Sequence, residues 1–452
     1  MAMGKRLPKQ GDLFLVAADL PQSPGHPFYR QLNSVLDEAR FDTFVETACQ
    51  PYYDEETGRP SIPPGTYFRM LFVGYFEGID SQRGIAWRCS DSRSLQQFLG
   101  FLPKEATPDH SSLTRVRQRL PESVHDEVFA FVLKLADTHG LVNGKTVGVD
   151  STTLEANAAM KTLTRRDTGD DYKAYLRKLA AEAGLESPTD EALLRFDRKR
   201  KGKTMSNADW ESPIDPDSKI AKMKDGTTHM AYKAEHVVDL ESELVLAAAI
   251  HPADRSDANT VAESVLAAQE NLAAAECEQS IEEVAADKGY HRLDVLDDFA
   301  EADYRTYIPE PEQPHDHTWT DKPETQERAY RNNRRRVAGA RSKRLQRLRS
   351  ERVERTFAHI CETGASRRSH LRGQVNVSKR YLMQAAAHNL GIVMRRLFKV
   401  GTPRSLQGAG GALAGLLASV QRWISCFRQI GSTFRNFRWP TTLWFDFQQS
   451  AK

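Results

Sequence analysis

Two short apolar runs of the chain each end in an aspartate, and this pattern constrains the fold more than any other feature of the sequence. Asp150 ends the run TVGVD, and Asp287 ends the run VAAD. Short apolar runs with β-branched residues, followed by polar turn signals, predict buried strands. A third acid, Glu354, lies in VERTF at the edge of an Arg-rich segment that is typical of a helix. The pattern therefore predicts an α/β fold in which two strand ends and one helix present carboxylates.

Three carboxylates placed in this way suit metal-assisted chemistry on phosphodiesters. Two divalent cations about 3.5–4 Å apart can activate an attacking water or 3′-hydroxyl and stabilise the leaving oxygen. Mg²⁺ prefers oxygen ligands, and carboxylates supply them. We therefore predict that Asp150, Asp287 and Glu354 are the catalytic and metal-binding residues, with two divalent cations such as Mg²⁺ per site. A single aspartate at a strand end is more often a capping residue, so the prediction rests on the three acids together.

The charge of the chain is almost balanced overall but uneven along its length. The net charge is only +2, whereas residues 331–355 carry eleven Arg or Lys against two Glu. Such a local basic field attracts phosphates, although many charged helix faces are merely solvated. The candidate DNA contacts in and near this segment are Lys288, Arg334, Arg335, Arg336, Arg349, Arg352 and Arg355.

The composition argues against several other classes of site. The five cysteines are odd in number and show no CxxC spacing, which disfavours a disulfide framework and a zinc site and suits a reducing cytoplasm. No GxSxG elbow of a serine hydrolase occurs. The histidines that could ligate zinc are too dispersed, namely His110, His229, His236 and His251.

No segment of the sequence is typical of a signal peptide or a membrane span. The N-terminus lacks the apolar core of a signal peptide. The longest apolar and glycine-rich stretch, 408–420, is shorter than the roughly 20 residues that a spanning helix needs. We predict a cytoplasmic, nucleoid-associated protein with no membrane segment.

The first part of the chain is typical of helices. Apolar residues recur at helical spacing over 28–140, and Ser81 and Ser92 are predicted N-caps of two short helices. The segment TPDHSSLTRVRQRL contains a helix start followed by three arginines, which are Arg115, Arg117 and Arg119. We predict that residues 1–140 form a helical DNA-binding domain of the helix-turn-helix kind. A plain helical bundle is the alternative.

From residue 141 onward, strands and helices alternate. The predicted strands are 145–152, a hairpin of 229–242 and 243–254, and two later strands at 281–289 and 303–309. This order is typical of a mixed sheet flanked by helices and matches an RNase H-like fold. The fold class is therefore α/β, with an RNase H-like sheet after an all-helical N-terminal domain.

The length of the chain and its polar segments suggest further divisions. At 452 residues the chain exceeds what one hydrophobic core usually serves. We assign 141–400 to a catalytic domain that contains a polar insertion at about 161–228 and a long Arg-rich helical segment over about 328–362. Residues 401–452 are a C-terminal tail of unknown role.

The sequence resembles bacterial insertion-sequence transposases of the DDE type. The matching segments run in the order of that family over about 58–360, and they are GRPSIPPGTYFRMLFVGYFEGIDSQRGIAWRC, TPDHSSLTRVRQRL, VGVDSTTLEAN, DPDSKIAKMKDGTTHMAYKAEHVVD, HPADRSDANTV, AADKGYH, AYRNNRRR and VERTFAHI. The resemblance implies an N-terminal part that binds the element ends and a catalytic domain in which Asp150, Asp287 and Glu354 are the DDE acids. It also implies Mg²⁺- or Mn²⁺-dependent strand cleavage, followed by joining of the 3′-hydroxyl ends to target DNA. The implied partners are double-stranded DNA, as terminal inverted repeats and as target, and a second copy of the chain in a homodimer on DNA.

The surroundings of Glu354 depart from a pattern that is frequent in the family. Related transposases often carry Tyr-x2-Arg-x3-Glu-x6-Lys around the third acid, but Arg347, Ser350 and Cys361 hold those places here. Glu351 would have Arg347 at the arginine place, whereas the VERTF context favours Glu354. Two other functions stay open, a transposase-derived DNA-binding protein without catalysis and an RNase H-fold nuclease without strand transfer.

Overall fold

The described part of the chain contains eight strands. The computed structural model describes residues 25–54, 61–102, 104–185, 188–201, 205–223, 226–312 and 318–406. The strands are β1 (Thr146–Glu155), β2 (Thr164–Arg165), β3 (Trp210–Glu211), β4 (Lys219–Lys222), β5 (Thr228–Asp239), β6 (Val245–Pro252), β7 (Glu283–Ala285) and β8 (Arg305–Tyr307).

Six of these strands form one mixed sheet with β1 near its centre. β5 runs antiparallel to β1 on one side, β7 runs parallel to β1 on the other, and β8 runs parallel to β7. β6 forms a hairpin with β5, and β4 pairs with the first residues of β5. The order β6–β5–β1–β7–β8 with these directions is that of an RNase H-like sheet, so the predicted fold class is confirmed.

The N-terminal part is helical, as predicted. Its helices are α1 (Pro27–Glu38), α2 (Phe41–Cys49), α3 (Pro64–Glu77), α4 (Gln82–Asp91), α5 (Arg93–Phe98), α6 (His110–Arg119) and α7 (Glu122–Thr138). Ser81 and Ser92 are the N-caps of α4 and α5, where their hydroxyl oxygens accept hydrogen bonds from the N–H groups of Gly84 and Leu95. Each cap satisfies a backbone donor that the helix itself leaves free. α3 is apolar on nearly every side, and it lies at the centre of this part.

The later helices cover both faces of the sheet. They are α8 (Tyr172–Glu182), α9 (Asp190–Lys199), α10 (Val261–Ala274), α11 (Leu293–Glu301), α12 (Glu324–Val337), α13 (Ala340–Phe357) and α14 (Gln374–Phe398). Successive residues of a strand point to opposite faces. Glu235 of β5 accepts a hydrogen bond from Ser264 of α10, whereas the next residue, His236, hydrogen-bonds with Thr356 of α13. α10 and α13 therefore lie on opposite faces.

The Arg-rich helical segment predicted over about 328–362 is divided into two helices. α12 ends at Val337, and Gly339 takes an extended conformation, with ψ of 160°, as the N-cap of α13. A π-helical turn at Ala358–Thr363 follows α13. The break lets α12 pack against α11 and β8 while α13 crosses the sheet to β1.

The sequence pattern does not predict α14, a helix of 25 residues that is buried along most of its length. Buried polar side chains obscure its apolar face, and Lys379, Gln384 and Asn389 have backbone partners. Lys379 donates to the carbonyl oxygen of Leu120 at 2.8 Å, and Asn389 exchanges two hydrogen bonds with the backbone of Val245. α14 packs against α3, α7 and β6, so one cluster of buried apolar residues runs from the N-terminal helices to the sheet.

The polar segment predicted as an insertion contains a small packing unit of its own. β2 and β3 form a separate two-stranded sheet there, and α8 and α9 share a satellite apolar cluster of Leu176, Ala180 and Leu193. The guanidinium of Arg165 lies 5.2 Å from the ring centre of Tyr175 and 5.7 Å from that of Trp210. Cation–π contacts of this kind favour a compact arrangement where little apolar surface is available.

Most of the predicted C-terminal tail lies outside the described residues. These undescribed positions, 407–452, include the glycine-rich stretch at 408–420. Within the ranges that the structure describes, no helix combines the length and the apolar composition needed to cross a membrane.

Four buried histidines should make the stability of the fold sensitive to acid. Burial lowers the pKa of His125 and His251 to about 4, that of His388 to about 3, and that of His236 well below its ordinary value. Such a group takes up a proton in the unfolded chain before it does so in the folded one. Its contribution to stability is therefore complete above the ordinary histidine pKa, about 6.5, and is lost as pH falls toward the folded pKa.

We expect the free energy of unfolding to fall between pH 7.5 and pH 5.5 by roughly 1 kcal/mol for each of these histidines. Denaturant unfolding followed by circular dichroism at the two pH values measures this. His388→Asn should reduce the dependence on pH, whereas His110→Asn, at an exposed position on α6, should leave it unchanged. An unfolding free energy that stays constant over this window would contradict the expectation.

Candidate active site

Asp150 lies on the face of β1 that α13 covers. Residues two apart on a strand share a face, and Gly148 lies directly beneath α13, where a Cβ would come within 3.1 Å of Arg349 Cγ and Val353 Cγ2. Asp150 Oδ2 accepts a hydrogen bond from the Arg349 guanidinium at 2.9 Å, and Oδ1 accepts one from the N–H of Ser151 at 2.8 Å. The carboxylate is therefore half-buried between the sheet and the helix.

Asp287 follows β7 at the same level of the sheet as Asp150. The parallel register pairs Gly148 with Ala285, and Asp150 and Asp287 each follow two residues later. Neighbouring strands are about 4.8 Å apart, and the two carboxylates thus originate side by side at the carboxyl ends of β1 and β7. Asp287 Oδ1 accepts a hydrogen bond from the N–H of Gly289 at 2.8 Å and so caps the following turn.

α13 crosses the sheet from β7 to β5. The Gln346 side chain donates to the carbonyl oxygen of Ala286 at 3.0 Å, next to Asp287. Near the other end of the helix, the Thr356 hydroxyl lies 2.7 Å from the His236 ring of β5, which stacks on Phe357 with ring centres 4.0 Å apart. These contacts fix both the direction and the rotation of the helix.

The rotation of α13 places Glu354 and Arg352 on opposite sides of the helix. Arg352 donates to the carbonyl oxygen of Leu240, which lies beside the amino end of β1. Residues of a helix are about 100° apart, so Glu354 is about 200° from Arg352 and lies toward the carboxyl ends of the strands. Its side chain is exposed and accepts a hydrogen bond from Ser350 at 3.1 Å.

Glu351, the other candidate third acid, lies on the outer side of the helix. It is about 200° from Val353, which packs against β1. Its carboxylate accepts a hydrogen bond from Arg355 at 2.6 Å. The geometry thus favours Glu354 over Glu351.

The donor atoms suit a divalent cation, although the three acids do not converge. Among the residues that the structure describes, no three His, Cys, Asp or Glu side chains lie close enough together to hold a metal ion. Asp150 and Asp287 contribute carboxylate oxygens, which Mg²⁺ prefers, from neighbouring strands. In their place in the fold these two fit a divalent cation, and Glu354 is on the side of α13 from which a third carboxylate would come. Arg349 supplies the positive charge beside Asp150.

A network of buried charged and polar side chains, none of them among the predicted site residues, lies on the α10 face of the sheet. Lys233 Nζ lies 3.2 Å from Asp257 Oδ1 and 2.7 Å from the Thr260 hydroxyl. Glu235 accepts hydrogen bonds from Thr260 at 2.9 Å and from the Tyr290 hydroxyl at 3.1 Å. Two charged residues within a buried strand, in YKAEHVV, are a signal that could have pointed to this network.

Asp257 connects this network to both aspartates. Its Oδ1 accepts a hydrogen bond at 2.8 Å from the hydroxyl of Ser151, the residue after Asp150. A Cβ built on Gly289 would lie 3.1 Å from Asp287 Oδ1 and 3.3 Å from Asp257 Oδ2. The carboxylates of Asp287 and Asp257 therefore both lie next to Gly289. Burial, together with the nearby carboxylates of Glu235, Asp257 and Asp150, raises the pKa of Tyr290 well above its ordinary value.

Several arginines predicted to contact DNA are held by contacts within the protein. Arg336 donates to the carbonyl oxygen of Thr306 at 2.9 Å, and Arg355 donates to Glu243 at 2.7 Å. Arg349 donates to Asp150, and Arg352 donates to the carbonyl oxygen of Leu240, as described above. Arg334 is mostly exposed, with Glu310 at 3.8 Å.

A second group of basic side chains is exposed and forms no ion pair within the described ranges. The group consists of Lys288, Arg335, Lys343, Arg344 and Arg347, and only the first two were among the predicted contacts. Lys343, Arg347 and Glu354 lie on one side of α13, because residues four and seven apart share a helix face. We call these five residues the free basic group.

The three arginines of α6 differ in their surroundings. Arg115 is exposed and donates to Ser111 at 2.6 Å, and Arg119 is exposed with its guanidinium 4.6 Å from the ring centre of Tyr53. Arg117 is buried and donates to Asn376 of α14 at 3.2 Å. Arg117 thus links two helices, and its side chain does not reach the surface.

Comparison with known families matches two parts of the chain. Residues 17–119 match a family model described as Transposase domain (DUF772), which ends at the last residue of α6. Residues 190–390 match a family model described as Transposase DDE domain, which includes Asp287 and Glu354 and begins after Asp150. No curated protein and no solved structure gives a match to the chain.

The close packing at Gly148 should make this position intolerant of a side chain. A Cβ there would lie 2.7 Å from Leu240 Cδ2 and 3.1 Å from two side-chain atoms of α13. We expect Gly148→Ala to lower the free energy of unfolding by about 1–3 kcal/mol, because the helix must shift away from the strand. Denaturant unfolding of the variant beside wild type measures the difference. A loss below about 0.5 kcal/mol, the range of an ordinary surface change, would show that α13 is not tightly packed on β1.

Proposed function

The chain belongs to the insertion-sequence transposases of the DDE type, and on this premise we propose that it cuts and joins DNA with Asp150, Asp287 and Glu354. In this proposal it binds the ends of an insertion sequence, cleaves DNA strands there and joins the 3′-hydroxyl ends to target DNA. The observation that supports the proposal is the parallel pairing of β1 with β7, two residues before Asp150 and Asp287.

The proposed cofactor is a pair of Mg²⁺ or Mn²⁺ ions. When bound, the ions activate the attacking water or 3′-hydroxyl and stabilise the leaving oxygen. The protein contributes the positions of the carboxylates that would hold the ions. Asp150 and Asp287 each follow the paired parts of β1 and β7 by two residues, and α13, which carries Glu354, packs across these strands. Arg349 compensates negative charge beside Asp150, where the phosphate to be cleaved would also lie.

We assign the DNA contacts to two surfaces. The first is the free basic group, in which Lys343 and Arg347 lie on the side of α13 that carries Glu354, and Lys288 follows Asp287. Arg344 and Arg335 are exposed elsewhere on α13 and on α12. The second is α6, through Arg115 and Arg119. Phosphate contacts by Lys and Arg supply affinity without sequence preference. We do not include four of the predicted arginines among the DNA contacts, because their guanidinium groups form hydrogen bonds within the protein. They are Arg117, Arg336, Arg352 and Arg355.

The partners in this proposal are double-stranded DNA and a second copy of the chain. The DNA enters as the terminal inverted repeats of the element and as the target, and a homodimer holds the two ends together. The protein then acts at the nucleoid, where its DNA is.

The three acids should be required for cutting but not for binding. We expect Asp150→Ala, Asp287→Ala and Glu354→Gln each to abolish Mg²⁺- or Mn²⁺-dependent nicking at the element ends, because each removes a carboxylate from the site. Glu351→Gln, three residues from Glu354 and on the outer side of α13, is the matched control and should nick normally. Gel assays of end cleavage, with DNA affinity measured on the same proteins, test this. Undiminished nicking by the Asp287 variant would contradict the proposal.

A substrate with a pre-cleaved end separates transposition from simple nuclease activity. An element end that already carries a free 3′-hydroxyl should be joined to target DNA by wild type. A nuclease of the same fold would cut the uncleaved end and leave the pre-cleaved one unjoined. Binding without cutting or joining would indicate a DNA-binding protein derived from a transposase.

The free basic group should account for part of the salt dependence of DNA binding. We expect the triple variant Lys343→Ala, Arg344→Ala and Arg347→Ala to weaken binding and to reduce the slope of log K against log salt by about 0.9 for each phosphate that the variant no longer neutralises. Arg198→Ala, at an exposed position on α9, is the control and should keep the wild-type slope. Fluorescence anisotropy between low and moderate salt measures the slope. An unchanged slope for the triple variant would place the DNA on another surface.

A further inference from the structure

We infer that Asp257, held by Lys233, positions the turn that carries Asp287 against the end of β1 that carries Asp150. Asp257 and Lys233 are positioning residues, because they act through the two aspartates. The inference rests on the proposed function, since it concerns how that same site is held in order.

Asp257 contacts both parts of the chain that must be kept together. Its Oδ1 accepts a hydrogen bond at 2.8 Å from Ser151, which is the neighbour of Asp150 on β1. Its Oδ2 lies close to Gly289, in the turn that Asp287 caps. A single carboxylate therefore lies between strand β1 and the turn after β7. β7 itself ends at Ala285, so backbone pairing with β1 does not extend to Asp287.

Lys233 keeps this carboxylate in place. Its side chain is only 6% exposed, and its Nζ lies 3.2 Å from Asp257 Oδ1 and 2.7 Å from the Thr260 hydroxyl. A buried ammonium is costly unless it is paired. Asp257 is the nearer of its two carboxylate partners, because Glu235 Oε1 lies at 3.7 Å, so the fold favours the conformation in which Asp257 stays beside Lys233. Since Lys233 belongs to the long central strand β5, the position of Asp257 is tied to the rigid part of the sheet.

The turn after Asp287 is also held at its other end. Tyr290 is fully buried, and its hydroxyl donates to Glu235 Oε1 at 3.1 Å. Glu235 also accepts a hydrogen bond from Thr260, which in turn contacts Lys233. The turn from Asp287 to Tyr290 is thus connected to one buried network at both of its ends. Loss of the Asp257 charge should loosen the first end while the second keeps the turn folded.

Asp257→Asn isolates the positioning effect. Asparagine has nearly the same size and keeps an oxygen that accepts the Ser151 hydrogen bond, but it lacks the charge that pairs with Lys233. Asp254→Asn, an exposed acid on the same loop, is the matched control. The full-length proteins are compared for single-turnover nicking of element-end DNA, for the Mn²⁺ concentration that gives half-maximal nicking, for Mn²⁺ binding without DNA, and for thermal stability and DNA affinity.

We expect Asp257→Asn to slow nicking by roughly 10–100-fold and to weaken Mn²⁺ binding by a similar factor, as changes beside metal ligands do. Its DNA affinity should equal that of wild type, and Asp254→Asn should match wild type in every assay. A purely structural role would lower thermal stability and leave the Mn²⁺ dependence of the folded protein unchanged.

The outcomes separate this inference from the proposed function. Wild-type nicking rate and Mn²⁺ binding in Asp257→Asn would overturn the inference and leave the proposed function intact, as would a loss of thermal stability alone. If wild type does not nick, the proposed function fails, and the comparison of Mn²⁺ binding still decides the role of Asp257. A wild-type protein that neither nicks nor binds Mn²⁺ would overturn both.

Discussion

The parallel pairing of β1 with β7 is the interaction on which the rest of the site depends. A shift of one residue between paired strands turns every side chain of the shifted strand to the opposite face. Such a shift would direct Asp287 toward α10 and away from α13. Glu283 opposes it at the amino end of β7, where its buried carboxylate accepts hydrogen bonds from Thr146 of β1 at 2.9 Å, Tyr307 of β8 at 3.0 Å and Arg341 of α13 at 3.0 Å. The Glu283 carboxylate thus connects β7 to both neighbouring strands and to α13, and it stabilises the register of the three strands.

Local signals in the sequence were enough for the main strands of the sheet. β1 and β7 are short apolar runs that stop at an aspartate, and Ser81 and Ser92 are typical N-caps, so each could be predicted from its neighbours in the chain. α14 could not, because Lys379 and Asn389 face the interior and find backbone partners on elements far away in sequence. Lys233 and Asp257 were missed for the same reason, as their contact depends on a fold that brings β5 beside the 257–260 turn. The side of α13 on which Glu354 lies depends on the rotation of the helix, which only tertiary contacts determine.

The Arg-rich segment shows why a count of charges predicts function poorly. Arg336 and Arg352 donate to backbone carbonyl oxygens at the edges of the sheet, and Arg341 and Arg355 pair with carboxylates. These side chains attach α12 and α13 to the sheet, so a large part of the basic run stabilises the fold itself. The planar guanidinium suits this task, because it satisfies several acceptors at once. Only the remaining basic side chains present charge to the surroundings.

α14 gives the molecule a property that neither of its halves would have alone. It is buried between the N-terminal helices and the sheet, where Lys379 reaches the end of α6 and Asn389 reaches β6. A surface on α6 and the carboxyl ends of β1 and β7 are therefore parts of one stiff body. In a protein of the proposed function, the distance between these two parts would fix the number of base pairs between the sequence that is read and the phosphodiester that is cut. An element end with one base pair inserted between them would present the wrong bond to the acids.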